Sequence, residues 1–277
     1  MTKTKRWVLG IMLVCTAPTF AEAEPAALPS QTDGIVVVQF RPPVGKQLQY
    51  QVTTSGKAGV QRLSLRFERN GDGFLMHAAN DLPDERASAA IEAALARPVT
   101  FTLDAAGKVT GIVDEEAYWR RVGASLQSAK TSAEARAPAS KFLEAMRGMS
   151  SEQRAAVASS DYRSTLRGIG THRSIKSNGA GIVPVHMDVA QAPDTVTIVG
   201  KTDIGPDNMA EFVDFLRSSG APYDGPAQPN ARFESAYKIV VDRMTGLLLR
   251  SELVESRFIA GKTTRSTTTI EPVLENR

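Results

Sequence analysis

The chain is poor in the residues that most often carry chemistry. Its 277 residues hold one cysteine, three histidines and two tryptophans, and aromatic residues make up only 6%. The one cysteine, Cys15, falls in the first 23 residues. There Lys3, Lys5 and Arg6, the apolar run Trp7 to Phe20, and the small-x-small triplet Ala21-Glu22-Ala23 have the layout of a secretory signal peptide cleaved after Ala23. Cleavage leaves 254 residues without a thiol. Disulfides, cysteine nucleophiles, zinc–thiolate sites and iron–sulfur clusters are then excluded together. A chain of that length buries about 70% of its unfolded surface, so its core alone can hold the fold.

Long hydrophobic runs are also missing. The apolar stretch of the leader is broken by Gly10 and Pro18 and falls short of the roughly 20 residues that span a bilayer. An uncleaved anchor is the alternative to cleavage. The residues before Cys15, Met12-Leu13-Val14, are too large for a lipidation signal. The expected location is therefore exported, periplasmic or secreted, with no stable membrane span after cleavage.

An excess of one charge is absent as well. The formal charge of +3 comes from 33 basic and 30 acidic residues. Removing Lys3, Lys5, Arg6 and Glu22 with the leader leaves 30 against 29. That balance lacks the electrostatic footprint of a nucleic-acid binder, and no nucleic-acid partner is expected. The phosphate-cradling and catalytic signatures are missing too. Gly168-Ile169-Gly170 and Gly179-Ala180-Gly181 read as turns, and there is neither a G-x-S-x-G elbow nor an H-E-x-x-H pair. No cofactor and no metal are expected.

What is present is alternation. After a polar lead-in at 24–33, Ile35 to Phe40, Gln47 to Thr53 and Gln61 to Glu68 read as strands. In the last, Leu63, Leu65 and Phe67 oppose Arg62, Ser64, Arg66 and Glu68. Such two-faced strands favour antiparallel pairing. Asn70-Gly71-Asp72-Gly73 supplies a hairpin turn into Phe74 to Ala78. An Ala-rich helix is expected at about Asp84 to Ala96. Two segments, Phe101 to Val109 and Ile239 to Leu247, share the order strand, Asp, turn, Gly, strand. Common turn chemistry and a true duplication are both compatible with that echo.

Between these hairpins lie helical patterns. Glu115 to Leu126 puts Trp119, Val122 and Leu126 on one stripe, and Ala139 to Met146 does the same for Phe142, Leu143 and Met146, with Pro138 as the divider. Ser150 and Gln153 form a capping box for a third helix to about Arg167. Strands return at Gly181 to Val189 and Thr195 to Thr202. An amphipathic helix is expected at Pro206 to Ser218, followed by a surface loop to Asn230. Phe233 to Val241, Leu247 to Val254 and Phe258 to Ile270 complete a meander whose Thr-rich last strand suits an exposed edge.

The fold class expected is α+β: a large antiparallel, curved sheet of about ten strands, with helices inserted mid-chain covering one face, in a single domain over 34–277.

Candidate reactive residues have simpler readings beside them. His186 and Asp188 share a strand face, yet a metal site needs three or four ligands. His77 reads as a strand-tail residue and His172 as part of a connection. Asp114, Glu115 and Glu116 suit the positive end of a helix dipole, and adjacent residues cannot face each other across a glycosidic bond. The larger apolar side chains Trp119, Phe142, Met146, Met209, Phe212 and Phe215 either pack helices on the sheet or line a cleft for an apolar ligand.

The order of these elements, with its closing meander entered through Ile239-Val-Val-Asp242-x-x-x-Gly246, resembles exported bacterial lipoprotein-carrier and lipoprotein-sorting proteins. It is also similar to other exported β-rich bacterial proteins. The resemblance implies a half-open sheet capped by helices over a hydrophobic cleft for lipid. The expected role is a non-enzymatic cell-envelope protein binding a lipid or other apolar ligand, or an envelope protein partner. A periplasmic hydrolase with an unrecognised site is the alternative.

Overall fold

The computed structural model describes residues 35–57, 59–82, 90–128, 133–176, 185–205, 231–259 and 261–273. The expected helix at 206–218, with Met209, Phe212 and Phe215, the loop to Asn230, Gly179-Ala180-Gly181 and the leader all lie outside the described residues.

The strands are β1 (Val36–Val38), β2 (Gln47–Thr54), β3 (Gln61–Asn70), β4 (Gly73–Asp81), β5 (Val99–Leu103), β6 (Val109–Ile112), β7 (Gly170–His172), β8 (Ile175–Lys176), β9 (Val185–Gln191), β10 (Thr195–Ile204), β11 (Arg232–Asp242), β12 (Leu248–Ile259) and β13 (Lys262–Pro272). The helices are α1 (Ala90–Leu95), α2 (Glu115–Ser128), α3 (Ala133–Gly148), α4 (Ser151–Ala158) and α5 (Ser160–Arg163), followed by a 3-10 turn, Ser164–Leu166. Eleven strands form one antiparallel sheet in the order β6-β5-β4-β3-β2-β13-β12-β11-β10-β9-β8, and β1 pairs with β7 in a two-stranded ribbon.

The alternation read from the sequence governs which face is buried. In β3, Leu63, Leu65 and Phe67 are buried between exposed or half-buried polar residues, and in β4 Phe74, Met76 and Ala78 are buried between the half-buried Gly73, Leu75, His77 and Ala79. These residues share one core with Tyr118 and Val122 of α2, Phe142 and Met146 of α3, and Tyr162 of α5. The hairpin at Asn70 to Gly73 forms as expected, with Gly71 at φ 57° between the paired Asn70 and Gly73.

Both Asp-turn-Gly hairpins form, each by the same chemistry. The Asp104 carboxylate accepts the Ala106 and Lys108 amides at 2.9 and 2.8 Å, and Gly107 sits at φ 80°. The Asp242 carboxylate accepts the Thr245 amide and hydroxyl at 2.7 and 2.6 Å, and Gly246 sits at φ 72°. Both glycines pack close to Ile169. The capping box also forms, with the Gln153 amide donating to Ser150 Oγ at 3.2 Å and the Ser150 amide to Gln153 Oε1 at 2.8 Å.

Four expectations are corrected. The Thr-rich β13 is not an edge strand: it pairs with β12 on one side and β2 on the other, joining the first meander to the last. It begins at Lys262, because Phe258 still pairs as part of β12. Pro138 lies inside α3 rather than before it, removing one backbone donor from that helix. The third helix stops at Ala158 and continues only as the short turns to Leu166.

Candidate functional site

Residues paired directly across an antiparallel sheet project from the same face, so the register sorts the core-facing side into rows. One row runs Val189, Ile198, Ile239, Ser251, Ile270 and Val52, and every member is buried. The next row, two residues further along each strand, runs Met187, Gly200, Tyr237, Leu253, Thr268 and Thr54. Here all but Gly200 are half-buried. A third row carries Thr202, Ser235, Glu255 and Ser266. On β9 to β12 the face passes from a closed row to a half-open, largely apolar one and then to a polar one, in which Thr202 and Ser235 are again buried, within three rows, about 13 Å along the strands.

Gly200 makes the middle row possible. A Cβ there would lie 2.3 Å from Tyr237 Cζ, so the ring occupies the space that a side chain on β10 would fill. The phenol reaches Met187, with Oη 3.8 Å from Sδ. Thr54 and Thr268 close the far end of the row with a 3.2 Å hydroxyl contact.

In the polar row, Glu255 accepts from Ser266 Oγ at 3.3 Å and pairs with Arg257 at 3.4 Å. Ser235 is 4% exposed, and among the described residues its Oγ has no hydrogen-bond partner. A buried hydroxyl left in that state costs about 1–3 kcal/mol.

A second polar group joins the sheet to α5. Gln61 Nε2 donates to Asn80 Oδ1 at 2.9 Å and to Asp161 Oδ2 at 3.4 Å, and Asn80 Nδ2 donates to the same Asp161 oxygen at 2.8 Å. Nearby, Tyr162 packs its ring 5.8 Å from that of Phe101, and Tyr118 donates to the Leu95 carbonyl at 3.4 Å. Burial pushes both phenols upward, and the charge of Asp161 adds to this.

The residues singled out in the sequence fall as follows. Phe142 and Met146 are core members, each 4% exposed, and Trp119 is half-buried against that core, edge-on to Tyr118 at 5.0 Å. His186 and Asp188 do meet, at 3.0 Å, on the face opposite the rows, with Lys176 and Lys201 beside His186 in register. Among the described residues no three His, Cys, Asp or Glu side chains gather to hold a metal ion.

His77 lies within β4 rather than at a tail. Its Nδ1 is 3.0 Å from Thr100 Oγ1, and its Nε2 is 3.3 Å from Glu68. His172 is part of β7, and its Nε2 lies 2.9 Å from the Gly168 carbonyl.

Glu115 opens α2 and accepts from Ser151 Oγ and Arg154 Nε, tying α2 to α4. Burial alone would raise its carboxyl, but these hydrogen bonds and the Arg154 charge outweigh it and hold the group below its ordinary value. Glu116 is exposed.

The row site escaped the sequence because it exists only in the cross-strand register. The one local signal was a glycine, Gly200, inside an otherwise regular strand pattern, which marks a close approach by another group. The sequence matches no protein-family model and no curated protein.

Proposed function

We propose that this is an exported, non-enzymatic cell-envelope protein that binds a hydrophobic ligand on the core-facing side of β9 to β12. The observation that carries the reading is the row of half-buried Met187, Tyr237 and Leu253 beside the buried Gly200, which continues the buried core row and ends against polar side chains. A curved sheet would make that strip the floor of a cleft, with Trp119, Phe142 and Met146 on the helical side. The chemistry suits adsorption of a chain of methylenes, each contributing about 0.8 kcal/mol when removed from water.

A hydrolase would need a hydroxyl, a base and a carboxylate converging in a recess. The nearest arrangement, Thr100, His77 and Glu68, lies on the outer face of the sheet, where it forms surface contacts.

Native mass spectrometry of protein recovered from the periplasm tests the reading. Co-purifying lipid is expected with the wild type and not with Leu253→Asp. A ligand-free wild type that also takes up no added apolar dye would remove it. A second reading, an envelope protein docked on an edge strand, is favoured by Ile35, just before β1, and Val37 within it, which are 68% and 58% exposed. Pull-down with the exported chain, compared with Val37→Lys, separates the two.

A further inference from the structure

We propose that the ligand is a neutral, singly acylated amphiphile whose head group carries both a hydroxyl and a carbonyl, as a monoacylglycerol does. The inference rests on the binding reading above and adds the head-group chemistry. Ser235 and Glu255 stand opposite each other on β11 and β12, one row beyond Tyr237 and Leu253. Two residues along a strand correspond to about 7 Å, the step from an acyl chain on the middle row to a head group on the polar one.

Ser235 offers a buried hydroxyl with no partner among the described residues, and so an unused donor aimed from the binding face. It suits an ester or amide carbonyl. Glu255, with a side chain 20% exposed, offers carboxylate oxygens that can take the proton of a head-group hydroxyl.

The charges argue against an acidic head group. Among the described residues, the cation nearest the row on this face is Arg257, and it already pairs with Glu255 at 3.4 Å. A free carboxylate or phosphate seated by Ser235 would face Glu255 with its positive partner engaged, and like charges at that range oppose binding. A neutral head that donates one hydrogen bond and accepts another satisfies both side chains at once.

The test uses the full exported chain, a neutral naphthylamine dye as reporter, and two competitors of equal chain length, monolauroylglycerol and laurate, at neutral pH. The dye binds, and monolauroylglycerol displaces it at least about tenfold more strongly than laurate. Ser235→Ala weakens monolauroylglycerol by about tenfold relative to the dye. Glu255→Gln, a conservative change at a half-buried position, narrows the preference by improving laurate. Dye binding with laurate equal or superior, or with Ser235→Ala indistinguishable from wild type, overturns the head-group assignment while the apolar site stands. Failure of the dye and both lipids to bind overturns the site itself.

Discussion

Replacing Gly168 with alanine places a methyl group where Val241 already stands. The added Cβ would sit 2.0 Å from Val241 Cγ1, 3.1 Å from its Cβ and 3.2 Å from its Cγ2, against an optimal carbon–carbon separation of about 3.5–4.0 Å. Val241 cannot swing aside cheaply: it is fully buried in β11, and a β-branched side chain has few rotamers. Either β11 or the turn after the 3-10 segment must shift by more than an ångström, and overpacking of this kind costs about 1–3 kcal/mol.

Val241→Ala alone should cost about 2–3 kcal/mol, from lost transfer energy and the cavity left behind. In the double variant the new methyl occupies part of that cavity. The double variant should therefore lie well short of the sum of the two, with a coupling of about 1–2 kcal/mol. Urea unfolding can be followed by the fluorescence of Trp119, which is the only tryptophan in a chain expressed from Glu24 onward. Additivity within about 0.5 kcal/mol would refute the packing of Gly168 on Val241.

Two further outcomes follow from the same structure. Gly246→Ala should cost clearly more than Gly56→Ala: both sites have positive φ, 72° and 73°, but only at Gly246 does a Cβ meet backbone, the Gln39 carbonyl oxygen at 2.5 Å. About 1 kcal/mol is expected at Gly56 and at least about 2 at Gly246, and equal urea midpoints would contradict it.

Stability should also fall on the alkaline side. Burial pushes the Tyr50 phenol up to about 12 and raises Tyr118 and Tyr162 as well. The unfolded chain ionises these groups near pH 10 while the folded one holds its protons. Stability is therefore whole below pH 10 and declines above it, by as much as about 1.4 kcal/mol per pH unit for each such tyrosine. Paired tyrosinate absorbance and unfolding curves across pH 9–12 check this, and a flat profile would count against burial of the three phenols.

The parts of the fold legible in the sequence were those set by neighbours in the chain. Leu63, Leu65 and Phe67 could be assigned to one face because side chains alternate along any strand. Asp104 with Gly107, and Asp242 with Gly246, announced their turns because one residue supplies the acceptor and the other the left-handed backbone. Ser150 and Gln153 announced a helix start in the same way.

What was not legible depends on distant partners. β13 has the Thr-rich composition of an exposed edge, yet its neighbours are β12 and β2, the latter more than 200 residues away, and nothing local in Lys262 to Pro272 encodes that closure. The ribbon of β1 and β7 was missed on one side because Gly170, Thr171 and His172 carry no apolar alternation. Of the candidate site, Trp119, Phe142 and Met146 were visible as a helical stripe. Met187, Tyr237 and Leu253 were not, since only the register of four strands sets them side by side with Gly200.

Photo-crosslinking tests most directly whether that row holds a ligand. A monoacylglycerol with a diazirine on its acyl chain, activated on the purified protein and mapped by peptide sequencing, should label Met187, Tyr237 and Leu253 in preference to other positions, and unlabelled monolauroylglycerol should suppress the labelling. Label spread over the outer face around His77 and His186, or confined to β1, would contradict ligand binding on the core-facing side of β9 to β12.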